Sequence, residues 1–281
     1  MARAWLAGLI LLTIPIAVTC AQPSQIDLAF DRFYNYDPPG ACAILDEYIS
    51  RQYQDPLGHM ARGATYLFSE LTRLEILESE FFLEDKNLID KKKLRPDPDV
   101  RAKFFAAIDE GQRLSRGLLV RQPADRNALF SMCIASGLVS YYNALIEKRP
   151  WSGMSYARQA QVYAVRLLKT DPTFYDAYLT TGFSEYLVGS LPFFLRWFVR
   201  FDEVQGNKAQ AIRNLALVAQ SGRYFRPFAK IFLSIIYLRD GKPLESQRLL
   251  GELAREFPAN AMFRKELAKV TERLRNGSLK P

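Results

Sequence analysis

The chain has 281 residues, of which 49% are hydrophobic and 13% aromatic. This content is enough for a sizeable buried core and argues against a disordered chain. Lysine and arginine number 38 against 30 aspartate and glutamate residues, which gives a formal net charge of +8. The surplus favours an anionic partner such as an anionic membrane surface. No nucleic-acid-binding motif accompanies it, so we expect no nucleic acid partner.

The first residues have the pattern of a secretory signal. Arg3 supplies a positive start, and the apolar run Trp5–Val18 follows, with small residues up to Ala21 and a polar stretch after it. This order predicts a signal peptide over residues 1–21, cleaved after Ala21, and a mature chain of residues 22–281. The apolar run is shorter than the about 20 residues that span a membrane.

Two alternatives to cleavage after Ala21 stay open. Cys20 stands where bacterial lipoprotein signals carry the lipidated cysteine, although the preceding Ala17-Val18-Thr19 lacks the usual leucine. In that case Cys20 is the lipidation site. In the other case, the apolar run remains as an uncleaved anchor. In all three cases we expect export to a bacterial periplasm or envelope, with or without a membrane anchor.

Helical periodicity runs through the rest of the chain, and no useful stretch alternates polar and apolar residues as a strand would. We therefore predict an all-α chain of about eleven or twelve helices. In chain order the predicted helices are Ile26–Tyr36, Ala41–Tyr53, Pro56–Glu80, Val100–Val120, Asn127–Ile146, Tyr156–Leu168, Tyr175–Val188, Leu191–Phe201, Asn207–Gln220, Phe225–Arg239, Leu244–Phe257 and Asn260–Arg275.

Two stretches depart from this regularity. Residues 84–99 contain three consecutive lysines and two prolines, which predicts an irregular exposed connection. Residues 188–201 form an apolar insert, and its helix Leu191–Phe201 is too short to span a bilayer. We interpret this helix as buried against the other helices, and the alternative is that it lies on an anionic membrane. In that alternative the contacting side chains are Phe194, Trp197 and Phe198.

Residues 228–260 resemble a tetratricopeptide repeat. They read as a helix, a tight turn, a second helix and a proline. The resemblance is carried by Leu233, Ser234, Tyr237, Gly241, Ser246, Leu250, Leu253 and Pro258. A second, split match covers residues 160–172 and 175–186. The resemblance implies a right-handed α-solenoid of stacked antiparallel helix hairpins, in which the charged helix of residues 260–275 caps the end.

The chain is also distantly similar to the tetratricopeptide repeat protein 39 family. The matching positions are Gly182, Tyr186, Leu191, Pro192, Gly206, Leu215, Ala229 and Leu233. Two features depart from the repeat pattern. Lys230 occupies the place of the large aromatic residue in the first helix, and the insert 188–201 interrupts the alternation of helices. We therefore expect the superhelix to be kinked or closed at the insert.

Motifs for catalysis and metal binding are lacking. His59 is the single histidine, so any serine or cysteine triad would depend on it, and its place near a helix start is typical of a structural residue. The glycine motifs that bind phosphate are absent. We therefore expect no enzyme activity, cofactor or metal. The enzymatic alternative is an envelope hydrolase that uses the carboxylate of Glu75 or Glu78.

Two cysteines remain after the signal, Cys42 and Cys133. They are too few for a structural zinc site, which takes four ligands. In an oxidising compartment they could pair as a disulfide. Each lies in an apolar helical stretch, so the other interpretation is a pair of buried single thiols.

The resemblance to tetratricopeptide repeats implies a binding surface on the first helices of the hairpins. Tyr178 and Tyr186 are the candidate contacts there, because an aromatic ring with a polar tip suits an interface. Arg226 and Arg239 are candidate anion partners. We expect a non-enzymatic scaffold of the bacterial envelope that binds a peptide or partner protein on a concave helical surface. The alternative is a membrane-anchored or lipoprotein assembly factor at the bilayer surface.

Overall fold

The computed structural model describes residues 23–76, 94–190 and 204–279. These residues contain eleven α-helices and no strand, so the all-α prediction is confirmed for them. The helices are α1 (Gln25–Tyr34), α2 (Pro38–Arg51), α3 (Pro56–Arg73), α4 (Pro98–Arg121), α5 (Arg126–Tyr141), α6 (Pro150–Thr170), α7 (Tyr178–Ser190), α8 (Lys208–Ser221), α9 (Arg226–Arg239), α10 (Pro243–Glu256) and α11 (Ala261–Arg275). A π-helical turn, Tyr142–Ile146, continues α5.

Aspartate followed by proline starts several helices. Asp37, Asp55 and Asp97 are the N-caps of α2, α3 and α4, and each side chain accepts a hydrogen bond from a backbone N–H of the first turn. Proline suits the next position because its missing N–H has no partner within the helix anyway. At α1, Ser24 and Asp27 form a reciprocal capping box. These starts are readable in the sequence, and the predicted helices lie close to the observed ones.

Two predicted boundaries were wrong. Helix α6 begins at Pro150 rather than Tyr156, because proline fits the first turn of a helix and here starts the next one. Helix α3 ends at Arg73 rather than near Glu80, since Glu75 adopts a φ of 58°, which a right-handed helix cannot contain. The predicted helix Leu191–Phe201, most of the predicted connection 84–99 and the predicted signal peptide lie outside the described residues.

The helices pack mostly with their neighbours in sequence. The pairs are α1–α2, α3–α4, α5–α6, α7–α8 and α9–α10, and α11 packs on α10. Adjacent pairs contact each other, as where α3 packs on α5 and α8 on α9. Each pair thereby buries its apolar stripe against the next pair. The segment Arg126–Ile146 is the one described stretch apolar and long enough to cross a membrane, and 67% of its most apolar window is buried among the other helices.

Helix α1 also contacts the distant end of the chain. The Tyr34 hydroxyl donates a hydrogen bond to the carbonyl oxygen of Tyr224 at 3.0 Å. The Asn260 side-chain amide donates to the carbonyl oxygen of Tyr34 at 2.9 Å. Arg223 pairs with Asp27 at 2.7 Å. Helix α1 is therefore fixed to the turns that precede α9 and α11.

Candidate functional site

A cavity of about 650 Å³ lies among the helices, and we call it the apolar cleft. Helices α1, α3, α5, α7 and α9 contribute its aromatic wall, with α6 and α11 beside them. Six of the rings in this wall are Phe33, Phe68, Tyr141, Phe183, Phe228 and Phe232. The wall therefore combines residues from the whole length of the described chain.

These six rings form one continuous chain along the cleft. Their order is Phe33, Phe68, Phe228, Tyr141, Phe183 and Phe232. Successive ring centroids are 4.9 to 6.3 Å apart. Aromatic side chains prefer such spacings in tilted or edge-to-face pairs, so the rings hold each other in place. The cleft is consequently a preformed apolar surface.

A smaller space of about 70 Å³, which we call the inner cavity, shares part of this wall. Phe33, Phe68, Tyr141 and Phe183 line both spaces. Gly137 of α5 lines the inner cavity but not the cleft. A methyl group added at its Cα would meet no atom within 4 Å. Helix α5 therefore leaves room at this position for a larger side chain or for part of a ligand.

The serine and threonine hydroxyl groups in the lining are used inside the protein. Ser69, Thr72, Ser140 and Ser234 each donate to a backbone carbonyl oxygen at 2.7 to 2.9 Å. The Asn260 side chain bonds both the Tyr34 carbonyl and a backbone N–H of α11. A ligand in the cleft would find few of these donors to bind. The lining thus favours apolar groups over polar ones.

Two charged side chains line the cleft among the described residues, Arg73 and Glu266. Glu266 is buried, and it accepts a hydrogen bond from Lys269 at 2.9 Å. The Arg73 side chain is 51% exposed, and it binds Glu70 through Nε at 2.9 Å and Nη2 at 2.7 Å. Arg73 therefore places a half-exposed positive charge at the rim of the cleft.

Buried glutamates hold the helix pairs together beside the cleft. Glu70 of α3, 3% exposed, accepts a hydrogen bond from the N–H of Asp97, the N-cap of α4, at 2.7 Å. Glu185 of α7 accepts one from the N–H of Asn207, the N-cap of α8, at 2.7 Å. In both pairs a carboxylate near the end of the first helix therefore binds the start of the second.

The pKa of Glu70 follows from these contacts. Burial by itself raises the pKa of this carboxyl group, but the hydrogen bonds from Arg73 and from the N–H of Asp97 outweigh burial. The pKa of Glu70 is therefore below its usual value of 4.5 in the folded chain. A carboxyl group with a lowered pKa stabilises the fold in its ionised form.

Replacing Glu70 with glutamine is expected to lower the free energy of unfolding by about 2 kcal/mol at neutral pH, because charge-assisted hydrogen bonds are lost. The contribution of the carboxylate is present above the unfolded-state pKa near 4.5 and is lost as the pH falls through the lower folded-state pKa. Urea denaturation of both proteins across this pH range measures the difference, and the two stabilities should converge in acid. A difference that stays constant with pH would contradict this role of Glu70.

The predicted contact residues lie outside the cleft. Tyr178 is partly buried and donates its hydroxyl to the carbonyl oxygen of Pro172 at 3.2 Å. Tyr186 is 7% exposed and packs on Phe232 of α9. Arg226 at the start of α9 pairs with Glu256, and Arg239 ends the same helix. The structure does not bring these four residues together at one surface, and their role in binding stays a prediction.

The other candidates are placed as follows. The His59 side chain is buried, and its Nε2 lies 3.0 Å from the carbonyl oxygen of Tyr53. Glu75 lies in the turn after α3. The described ranges contain no group of three histidine, cysteine, aspartate or glutamate side chains placed to hold a metal ion. Glu78, Cys20, Phe194, Trp197 and Phe198 lie outside the described residues.

Cys42 and Cys133 are free thiols. Cys42 on α2 is half-buried, and Cys133 on α5 is buried with its sulfur 3.1 Å from Oγ1 of Thr180. Burial raises the pKa of the Cys133 thiol to about 11. Cys42 and Cys133 are therefore single thiols in this structure, and no disulfide links α2 to α5.

The residues that line the cleft were not identified as a binding site from the sequence. Phe228 and Phe232 lie four residues apart on α9 and so share one helix face. That spacing was a usable signal for a shared aromatic surface. A comparison of the chain with models of known protein families and with curated proteins gave no match.

Proposed function

We propose that this chain is a non-enzymatic binding scaffold of the bacterial cell envelope, built as a tetratricopeptide-like right-handed solenoid of antiparallel helix hairpins. Three observations support the architecture. The helices pack as sequential pairs. Residues 228–260 span α9 and α10. Gly241 makes the turn between these helices with a φ of 69°, a conformation that favours glycine. The signal-like pattern of residues 1–21 supports export.

The apolar cleft carries the functional part of the proposal. Its volume of about 650 Å³ falls within the range of small-ligand sites, roughly 300 to 1,000 Å³, and apolar side chains dominate its wall. An accessible apolar space of this size is typical of an interaction site. Because the serine and threonine hydroxyls of the lining are already used, a protein partner would enter through apolar side chains or an attached apolar group. A polar peptide backbone would find few partners there.

Binding without bond chemistry also agrees with the placement of the reactive groups. The one histidine is buried and bonds a backbone carbonyl. The thiol of Cys133 has a raised pKa, so it is a poor nucleophile near neutral pH. Glu266, which lines the cleft, is buried beside Lys269. Each of these groups is held by contacts inside the fold, and none of them is assigned a catalytic role.

The test is site-specific photo-crosslinking in the cells that make the protein. In one variant a benzophenone amino acid replaces Leu187, which lines the cleft at the end of α7. In a second variant it replaces Val120, which is 84% exposed at the end of α4. If the cleft is the binding site, position 187 gives a discrete adduct after irradiation and position 120 does not. Val120 is the matched control because it is an exposed aliphatic residue outside the cleft.

The mass of the adduct then separates the kinds of partner. A large increase identifies a protein that reaches into the cleft, and a small increase identifies a bound low-molecular-weight compound. Both results support binding in the cleft. Equal crosslinking at positions 187 and 120, or none at 187, would contradict the proposal.

A further inference from the structure

We propose that the apolar cleft binds a single long-chain fatty acid, with the hydrocarbon tail directed into the inner cavity at Gly137 and the carboxylate at Arg73. This inference deepens the proposed function and rests on it, since it needs the cleft to be the binding site. It names the chemistry of the ligand. The ligand is an unbranched hydrocarbon chain with an anionic head.

The hydrogen bonds of the lining favour a hydrocarbon over a peptide. Four lining hydroxyl groups already donate hydrogen bonds to backbone carbonyl oxygens, those of Ser69, Thr72, Ser140 and Ser234. An extended peptide carries one N–H and one C=O per residue, and each group that is buried without a partner costs free energy. A hydrocarbon chain has no such groups and gains from each methylene that leaves water.

The shape of the space favours one narrow chain. The cleft has a volume of about 650 Å³, which suits a drug-sized ligand. The adjoining inner cavity measures about 70 Å³. The two spaces share aromatic wall residues, including Phe68 and Phe183. Gly137 lines the inner cavity, and its absent side chain leaves space open there. A chain that enters from the cleft can therefore place its terminal carbons against α5.

A guanidinium group at the rim offers a hydrogen-bond donor to an anionic head. Arg73 is the cation that lines the cleft among the described residues, and its side chain is 51% exposed. Its Nε and Nη2 atoms donate to Glu70 and to the carbonyl oxygen of Arg95. Nη1 is thus the donor that a carboxylate at the rim would use. The net charge of +8 further favours an anionic ligand over a cationic one.

The experiment begins with a general apolar probe. Anilinonaphthalene sulfonate is titrated into the purified protein, and laurate, myristate and palmitate are then used to displace it below their aggregation concentrations. If the tail is buried, affinity rises about fourfold for each added methylene from laurate to palmitate. Methyl palmitate, which has the same tail without the charge, is expected to bind more weakly than palmitate.

A matched pair of variants tests the inner cavity. Gly137→Leu places four carbons in the space assigned to the end of the tail, so palmitate affinity should fall at least about tenfold and laurate affinity much less. Gly117→Leu is the control, because Gly117 is an exposed position in α4 where an added methyl group also meets no atom within 4 Å. Both changes replace glycine inside a helix by a better helix former, so both variants should fold.

The outcomes separate this inference from the proposed function. If the probe binds but the fatty acids do not displace it, or affinity does not depend on chain length, the fatty-acid assignment is overturned while the cleft remains a binding site. If Gly137→Leu and Gly117→Leu bind palmitate equally, the assignment of the tail to the inner cavity is overturned. If the probe does not bind and position 187 gives no adduct, the proposed function itself fails.

Discussion

Replacing Asp176 with alanine is expected to lower the free energy of unfolding by about 3 to 5 kcal/mol, the largest effect that we predict for a single polar side chain. Asp176 is 4% exposed. Its carboxylate accepts hydrogen bonds from the N–H groups of Arg223, Tyr224 and Phe225 at 2.9, 3.0 and 2.7 Å. Alanine leaves these donors without their acceptor, and a buried unsatisfied donor costs about 1 to 3 kcal/mol.

Two further variants make this expectation specific. Asp176→Asn keeps one side-chain oxygen. In the native carboxylate, one oxygen accepts the hydrogen bonds from the N–H groups of both Tyr224 and Phe225. The asparagine variant should therefore be destabilised less than the alanine variant. Burial raises the pKa of Asp176 despite the three N–H donors, so a neutral amide also avoids part of the cost of a buried charge. Asp109→Ala, at an exposed helical position, should change stability by less than about 0.5 kcal/mol.

Urea denaturation at neutral pH measures all three variants. Equal stability of Asp176→Ala and Asp109→Ala would contradict the assigned role of Asp176. The role matters for the cleft because the turn that Asp176 holds contains Tyr224, whose carbonyl oxygen accepts the hydroxyl of Tyr34. Loss of this turn would release helix α1 from the start of α9.

Replacing Tyr34 with alanine is expected to lower the free energy of unfolding by about 3 to 4 kcal/mol, as for other large-to-small changes in a core. Tyr34 is 6% exposed, and its ring lies 5.4 Å from that of Phe257 and 6.3 Å from that of Phe30. The ring therefore joins α1 to the turn before α11. Tyr34 also lines the cleft, so its loss would widen the cleft at that end.

Tyr34→Phe separates the ring from the hydroxyl group. It keeps the aromatic contacts and removes the hydrogen bond to Tyr224, so we expect a loss of only about 1 kcal/mol. The two variants are compared by urea denaturation under the same conditions. If alanine and phenylalanine destabilise the fold equally, the aromatic contacts of Tyr34 do not hold α1 in place and this account of the contact is wrong.

The helices could be predicted because their signals are local. An aspartate N-cap followed by proline, as at Asp55 and Asp97, marks a helix start within a few residues. The start of α6 was missed because Arg149 makes no capping bond, so proline was the single signal there and it was interpreted as an end. The proline that ended one helix in the prediction begins the next one in the structure.

The cleft could not be predicted because its wall is assembled from distant parts of the chain. Phe33 of α1 meets Phe68 of α3, which meets Phe228 of α9. A helix face shows which residues lie together on one helix, but not which other helix they contact. Tyr186 is an example, since its place on the first helix of a predicted hairpin suggested a surface contact and the structure buries its side chain.

Asp176 gave no signal in the sequence for a similar reason. An aspartate among tyrosines and phenylalanines is usually exposed, and the N–H groups that make burial tolerable lie 47 to 49 residues away. Glu70 likewise depends on Asp97, which lies 27 residues further along the chain. Buried carboxylates of this kind are found from the geometry of the fold: Glu70 joins the two helices of one pair, and Asp176 joins two neighbouring pairs.

The comparison of photo-crosslinking at positions 187 and 120, in cells that make the protein, tests the central claim most directly. The account predicts a discrete adduct from the cleft position Leu187 and none from the exposed position Val120. It also predicts that an apolar competitor, added before irradiation, reduces the adduct at position 187. Equal yields at the two positions, or a yield at 187 that no apolar compound reduces, would contradict the claim that this protein binds through its apolar cleft.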